Sequence, residues 1–151
     1  MPKILLTVSH HKQRRQADCL AACAAMLIEY LGKRVDYDRL NRLLGIQDYG
    51  APISNVAHLV HLGVRVQHSQ GNLEDIERLL RGGSPAIVFL RTGELPYWDE
   101  DTGHAVVVIG IDETYVYIND PAFAHAPQVV SQGDFMLAWL EFDYEYVVVR
   151  V

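Results

Sequence analysis

Three side chains in this chain have the types and settings that covalent chemistry requires. Cys19 precedes an apolar run rich in Ala and Leu, Leu20 to Leu31, which contains no Gly or Pro until Gly32. Ala and Leu are the best helix formers, and glycine is a natural stop. Asp18 is placed to cap this helix with its carboxylate. Cys19 is thus expected at a helix mouth, where unpaired N–H groups and the aligned peptide dipoles favour negative charge and a thiol loses its proton more easily. His104 opens a second apolar run, and Asp120 stands before Pro121 at the end of the next one. If those two runs pair as a hairpin, the start of the first lies beside the end of the second, and Asp120 comes near His104. Thiol-dependent acyl chemistry needs a thiolate, a base that carries its proton to the leaving group, an orienter for that base and donors for the oxyanion. Cys19, His104 and Asp120 fit the first three parts.

Each residue taken alone has a plainer reading. A lone buried cysteine is more often a small core residue. A histidine at a strand end is commonly just hydrogen-bonded there, and Asp-Pro is an ordinary turn opener. It is the three together, at a helix mouth and across a hairpin, that point to a catalytic set. The other candidates are weaker. Cys23 lies one helical turn after Cys19 and reads as a core residue. A metal reading would have to recruit His10, His11, His58 or His61, and the C-x2-C spacing of zinc sites is absent, so no metal site is expected. His58 and His61, three apart, suit a solvated helix face. His125 rivals His104 but sits in a loop without a visible orienter. Tyr97 and Trp98, in the loop before His104, suit a substrate wall and a core cap equally.

The elements that must position these residues can be read from periodicity. Residues 3 to 8 suggest a short extended segment. After the helix from Leu20, a second amphipathic helix is expected from Asp36 to Leu44, ended by Gly45. Tyr49 to Pro52 reads as a turn, and Ser54 as the cap of a third helix reaching His61. Val64 to Gln67 alternates like a strand, and Asn72 caps a helix over Leu73 to Arg81. Continuous apolar runs at Pro85–Leu90 and His104–Ile111 predict buried strands, with Tyr115–Asn119 returning antiparallel to the second. Residues 132 to 140 suggest a short helix and 144 to 151 a closing strand. Helices dominate the first half and strands the second, which predicts an α+β fold with an antiparallel sheet.

The 151 residues suffice for one ordinary domain, and half of them are hydrophobic. A formal net charge of −6 argues against nucleic acid or an anionic membrane surface as the main partner. The one basic cluster, Lys12-Gln13-Arg14-Arg15, is short and reads as a solvated loop. No apolar run approaches the ~20 residues of a membrane span, and the N-terminal residues lack a signal-peptide pattern. A cytoplasmic protein with two reduced thiols is expected. Oligomeric state is not legible.

The order Cys, His, Asp resembles that of the C39-like cysteine peptidases, the papain-fold group that includes the bacteriocin-leader-processing domains of certain ABC exporters. The pieces that carry the likeness are Gln13-x5-Cys19 with Asp18 before the cysteine, Gly103-His104-Ala-Val-Val-Val, and Asp120-Pro121, together with the small-residue helix after Cys19 and the Pro85-Ala-Ile strand. The likeness runs from about residue 11 to the end, so residues 1–151 are expected to form a single C39-like peptidase domain. It implies a papain-like fold, an N-terminal helical part packed on a C-terminal antiparallel sheet. It implies Cys19 as nucleophile, His104 as general base and acid, Asp120 as its orienter, and Gln13 as an oxyanion donor beside the backbone N–H of Cys19. From the residues alone Gln13 is only a loop glutamine. The family implies a peptide or protein substrate and no cofactor. Leu20 departs from the glycine common after the cysteine, and a larger side chain there is expected to reshape the groove beside the sulfur. Exporter relatives carry membrane and ATPase segments, so a double-glycine leader is only weakly suggested as substrate. Two alternatives stay open: acyl transfer to an amine or thiol on the same fold, and a non-catalytic peptide-binding module.

Overall fold

A computed structural model describes residues 3–151; Met1 and Pro2, and with them the start of the N-terminal reading, lie outside the described residues. The chain runs β1 (Ile4–Leu5), α1 (Cys19–Tyr30), α2 (Tyr37–Leu44), β2 (Arg65–Gln70), α3 (Leu73–Arg81), β3 (Ala86–Arg91), β4 (Gly103–Ile111), β5 (Tyr115–Asn119), β6 (Gln128–Ser131), α4 (Gln132–Leu140) and β7 (Glu145–Arg150). Short 3-10 turns precede α1 and follow β3, and a longer 3-10 helix spans Ile53–Leu62.

All seven strands join one sheet in the order β2-β7-β3-β4-β5-β6, with β1 on β4. Every pairing is antiparallel. This is the expected α+β architecture with one refinement. Helices cover both faces of the sheet, because α3 and α4 interleave with the strands of the second half. Strand alternation separates two cores. Ala105, Val107 and Ile109 of β4 pack with α1 and α2, whereas Val106 and Val108 pack with Ile76 and Leu80 of α3 and with Phe135 and Trp139 of α4. A strand buried on both faces reads as a continuous apolar run, as the Ala105–Ile111 stretch does.

The helix α1 is apolar all round, and every residue from Leu20 to Ile28 is buried. A helix of that kind belongs in the interior, and it lies against β4, β3 and β7 with α2 on its flank. Truncating Leu20, Met26, Leu27 or Ile28 to alanine removes about 2–5 kcal/mol each. The expected stop holds at α2, where Gly45 takes the left-handed conformation, and Asp36, expected inside the helix, is its N-cap and accepts from the N–H groups of Asp38 and Arg39. The expected Asn72 cap holds at α3, and Asp75 returns the bond to form a reciprocal capping box.

Two local expectations are corrected. The segment from residue 53 is a 3-10 helix preceded by Pro52 with no side-chain cap, so Ser54 does not cap an α-helix. Asp18 makes no capping bond to α1 either. Its buried carboxylate instead takes Arg15, with Nε at 3.2 and 3.3 Å and Nη2 at 3.0 Å. A buried carboxylate that gains a charge-assisted fork gains more than one that accepts a single backbone N–H.

Candidate active site

The loop into α1 is tied down by the segment that follows β5. The Asn119 side-chain amide donates to the Val8 carbonyl at 3.1 Å, His10 Nε2–H donates to the Phe123 carbonyl at 2.6 Å, and the Gln13 backbone N–H donates to the Pro121 carbonyl at 2.8 Å. Residues 8–13 are thereby bound to residues 119–123, on either side of Asp120. The Arg15–Asp18 fork then closes the 3-10 turn that delivers Cys19 to the start of α1.

His104 is the second residue of β4, paired with Leu90 of β3. Gly103 before it has a steric reason to be glycine: a Cβ there would lie 2.8 Å from Phe142 Cζ. The β4–β5 register pairs Val107 with Asn119, with an irregularity between Val108 and Gly110. Carried one step on, that register sets Asp120 opposite Val106, so Asp120 and His104 are diagonal neighbours on one face, within side-chain reach. The Asp120 carboxylate closes the distance, with Oδ1 2.7 Å from His104 Nε2.

Asp120 is completely buried and fully bonded. Oδ1 also accepts the Ala122 N–H at 2.9 Å, and Oδ2 accepts the Tyr97 hydroxyl at 2.7 Å and the Trp98 indole N–H at 2.9 Å. Four donors saturate a carboxylate. Burial opposes its charge, but the bonds and charge of His104, with Ala122 and Trp98, outweigh that and hold Asp120 below the usual carboxylate range. The Trp98 ring also lies edge-on to His104, with centroids 4.8 Å apart. Tyr97 and Trp98 are thus the Asp120 clamp, a role invisible in a single sequence because it depends on the loop folding back over the strand end.

Cys19 and His104 line the same groove and shift each other's ionisation. With Nε2 facing Asp120, the ring nitrogen left for the sulfur is Nδ1. Burial would push the Cys19 thiol up. The His104 bond and charge, together with the N–H groups of Ala105 and Leu20, more than offset this and lower it. Burial likewise disfavours the imidazolium, but Asp120 and Cys19 raise His104 to about 9. The thiol is lowered and the imidazole raised, which is the signature of a thiolate–imidazolium pair.

An open groove of about 330 Å³ runs over this pair. Gln13, Cys19, Trp98 and His104 line it, with Asp48, Tyr49 and Gly50 from the turn after α2 and Glu100 and Thr102 from the loop before β4. Gln13 Nε2 donates to the Gln16 carbonyl at 3.1 Å, while Oε1 is buried without a partner. All four sequence-nominated residues, Gln13, Cys19, His104 and Asp120, are therefore brought to one place. Leu20 is not part of it. Its side chain is buried in the α1 core and does not line the groove. The remaining histidines lie elsewhere: His11 pairs with Glu29 at 2.6 Å, His58 stacks with His61 on the surface, His68 lies 3.6 Å from Glu145, and His125 is exposed.

The fold is found in solved structures along nearly its whole length. A C39-like peptidase from Bacillus anthracis superposes with a TM-score of 0.83 at 18% identity, covering 100% of this chain and 98% of that one. A double-glycine-motif protease from an AMS/PCAT transporter, solved with a leader peptide, gives 0.76 at 20% identity, covering 97% and 93%. The peptidase domain of Streptococcus ComA, a bifunctional ABC transporter of a quorum-sensing pathway, gives 0.78 at 18% identity, covering 95% and 98%. A search of curated proteins gives no significant match. The family model for Peptidase C39 matches residues 7–143, a span that contains the strap, the helix mouth, the hairpin and the clamp, and by that match the chain belongs to the Peptidase C39 family.

Proposed function

We propose that this peptidase hydrolyses peptide bonds through Cys19, His104 and Asp120, with Gln13 as an oxyanion donor. The observation that carries the proposal is the His104 Nε2 contact to Asp120 Oδ1 at 2.7 Å, with His104 and Cys19 lining the same open groove and shifting each other's ionisation. Asp120 holds His104 in the tautomer that carries hydrogen on Nε2, which leaves Nδ1 to take the Cys19 proton. The thiolate attacks the scissile carbonyl carbon. The resulting oxyanion is met by the backbone N–H of Cys19 and by the second N–H of Gln13 Nε2, the first being held by Gln16. His104 returns its proton to the leaving amine as the C–N bond breaks, giving an acyl-Cys19 intermediate. Water then loses a proton to His104, attacks the same carbon, and releases the carboxylate product and the thiol.

The substrate in this reading is a peptide or a protein segment laid extended in the groove. The leader-peptide complex of the transporter relative supports a peptide ligand on this fold. The test is alkylation by iodoacetamide across pH, on wild type, Cys19→Ala and His104→Ala. One fast thiol with a depressed pKa is expected, abolished by the first substitution and slowed to ordinary thiol behaviour by the second. Equal, slow labelling of Cys19 and Cys23 would sink the catalytic reading.

A further inference from the structure

We infer that the groove beside Cys19 selects peptides carrying a lysine or arginine next to the scissile bond, held by Asp48 and Glu100. The inference rests on the reading of Cys19 as nucleophile and names the substrate class for that site. Apart from the reacting His104, the only charged side chains lining the groove are these two carboxylates. The chain has 13 Lys and Arg residues, and none of them lines it. Among the described residues neither Asp48 nor Glu100 forms an ion pair. Arg15, whose charge Asp48 feels, is held by the buried Asp18. Arg91, at the base of the Glu100 loop, is taken by Asp101 at 2.9 Å and by Glu141 at 3.6 Å.

The loop before β4 adds the same sign; the opposing Lys12, Arg14 and Arg15 flank Gln13 but do not line the groove, and Arg14 and Arg15 are engaged by the Tyr37 ring and by Asp18. The segment from Thr92 to Thr102 carries Glu94, Asp99, Glu100 and Asp101 and no cation. The reacting pair contributes no net charge of its own, since a thiolate and an imidazolium cancel. A cleft walled by one sign of charge concentrates ligands of the other. The aromatic lining suits the same ligand. Tyr49 is 86% exposed and lines the groove, as does the Trp98 ring. A Lys or Arg side chain lays its apolar stem along such faces, and its cation is attracted by the ring quadrupole. Acidic side chains in the substrate would meet unpaired like charge and are excluded by the same arrangement.

Two measurements test this. The first reads the field at the sulfur without any need for turnover. Cys19 is modified with a cationic (trimethylammonioethyl) and an anionic (sulfonatoethyl) methanethiosulfonate, and the rate ratio is normalised to that of a small free thiol. The wild-type ratio should exceed the free-thiol ratio by about tenfold at low salt, shrink in 0.5 M NaCl, and collapse in Asp48→Asn/Glu100→Gln. The control Glu74→Gln/Asp134→Asn makes the same change in net charge away from the groove and should keep the wild-type ratio. The second measurement is a quenched-fluorescent peptide library in which each position near the scissile bond is Lys, Arg, Gln or Glu. Wild type should prefer Lys or Arg over Gln at one position by about tenfold in kcat/KM, and the double variant should lose that ratio. A normalised reagent ratio near unity, or a cationic preference that survives in the double variant, overturns the inference. Failure of the catalytic reading looks different: slow, His104-independent alkylation of Cys19 and no cleavage of any member, whatever its charge.

Discussion

The first turn of α1 and the turn that follows it carry the same functional group into opposite environments. Cys19 and Cys23 are four positions apart on one helix. At the mouth, Cys19 meets His104, two backbone N–H groups and the open groove, and its thiol is lowered. One turn in, Cys23 is completely buried in the core. Burial pushes its thiol well above the ordinary value, and the charges of Cys19 and Asp120 push further. The difference teaches that the thiol's reactivity is conferred by what faces it. Both sulfurs lose solvation, and only the one with a cationic partner recovers more than it loses.

The comparison breaks most sharply under substitution of the sulfur itself. Cys19→Ala should lower kcat/KM for any cleaved peptide by about 10⁴-fold or more, while Cys23→Ala should leave turnover near wild type. The next largest effect is expected at the orienter. Asp120→Asn should lower kcat by about 10²–10⁴-fold, because the amide stabilises the wrong imidazole tautomer and cannot balance the imidazolium. It should also slow Cys19 alkylation and leave Cys23 unreactive. Gln13→Ala should cost about 10²-fold in kcat with the alkylation rate of Cys19 unchanged, which separates oxyanion binding from thiol activation.

The pH dependence sharpens the contrast further. Hydrolysis needs the imidazolium, so its rate should rise as Cys19 ionises and fall again as pH passes about 9, where His104 loses its proton. Alkylation needs only the thiolate and should stay high above that pH. The sign for stability follows from the same shifts. His104 is raised, so its contribution is complete below its ordinary 6.5 and is lost as pH rises through about 9. Cys19 is lowered, so its contribution is complete above the ordinary thiol value of 9.0 and is lost as pH falls through the folded value. The stability difference between wild type and Cys19→Ala should therefore shrink as pH falls through the folded Cys19 value, while fast alkylation, absent from Cys19→Ala at every pH, should stay high in wild type above about 9. The smallest effect is the structural one. Cys23→Ala should destabilise by about 1 kcal/mol, read by urea unfolding, since it removes one well-packed sulfur and leaves a small cavity.

Much of this was legible in the chain itself. The apolar run of Leu20–Ile28, the cap Asn72, the stop at Gly45 and the apolar strands at Pro85 and His104 are local signals, and each became the expected element. Periodicity and capping act over one or two turns, so a single sequence contains them whole. Cys19 at a helix mouth and Asp120 on the hairpin partner of His104 were legible for the same reason. The role of Asp18 was not. Its residue type suits an N-cap, but a guanidinium three residues earlier offers a stronger partner once the turn has buried the carboxylate.

What the tertiary structure alone decided is how distant segments meet. Alternation along β4 puts His104 on the face of Val106, away from the face on which Ala105 and Val107 pack with α1. Cys19 meets it in the groove because the first residue of α1 arrives at the end of the strand, where the Ala105 N–H also helps to lower the thiol. No periodicity encodes that approach. Nor does any encode the Tyr97–Trp98 clamp on Asp120, the strap of residues 8–13 on residues 119–123, or the inward turn of Leu20 that removes it from the groove. The sequence by itself determined the elements and nominated the candidate groups, because helix and strand formation is set by near neighbours. The tertiary structure decided which groups share a solvent shell and a hydrogen bond, because that follows from packing two cores onto one sheet at the same time.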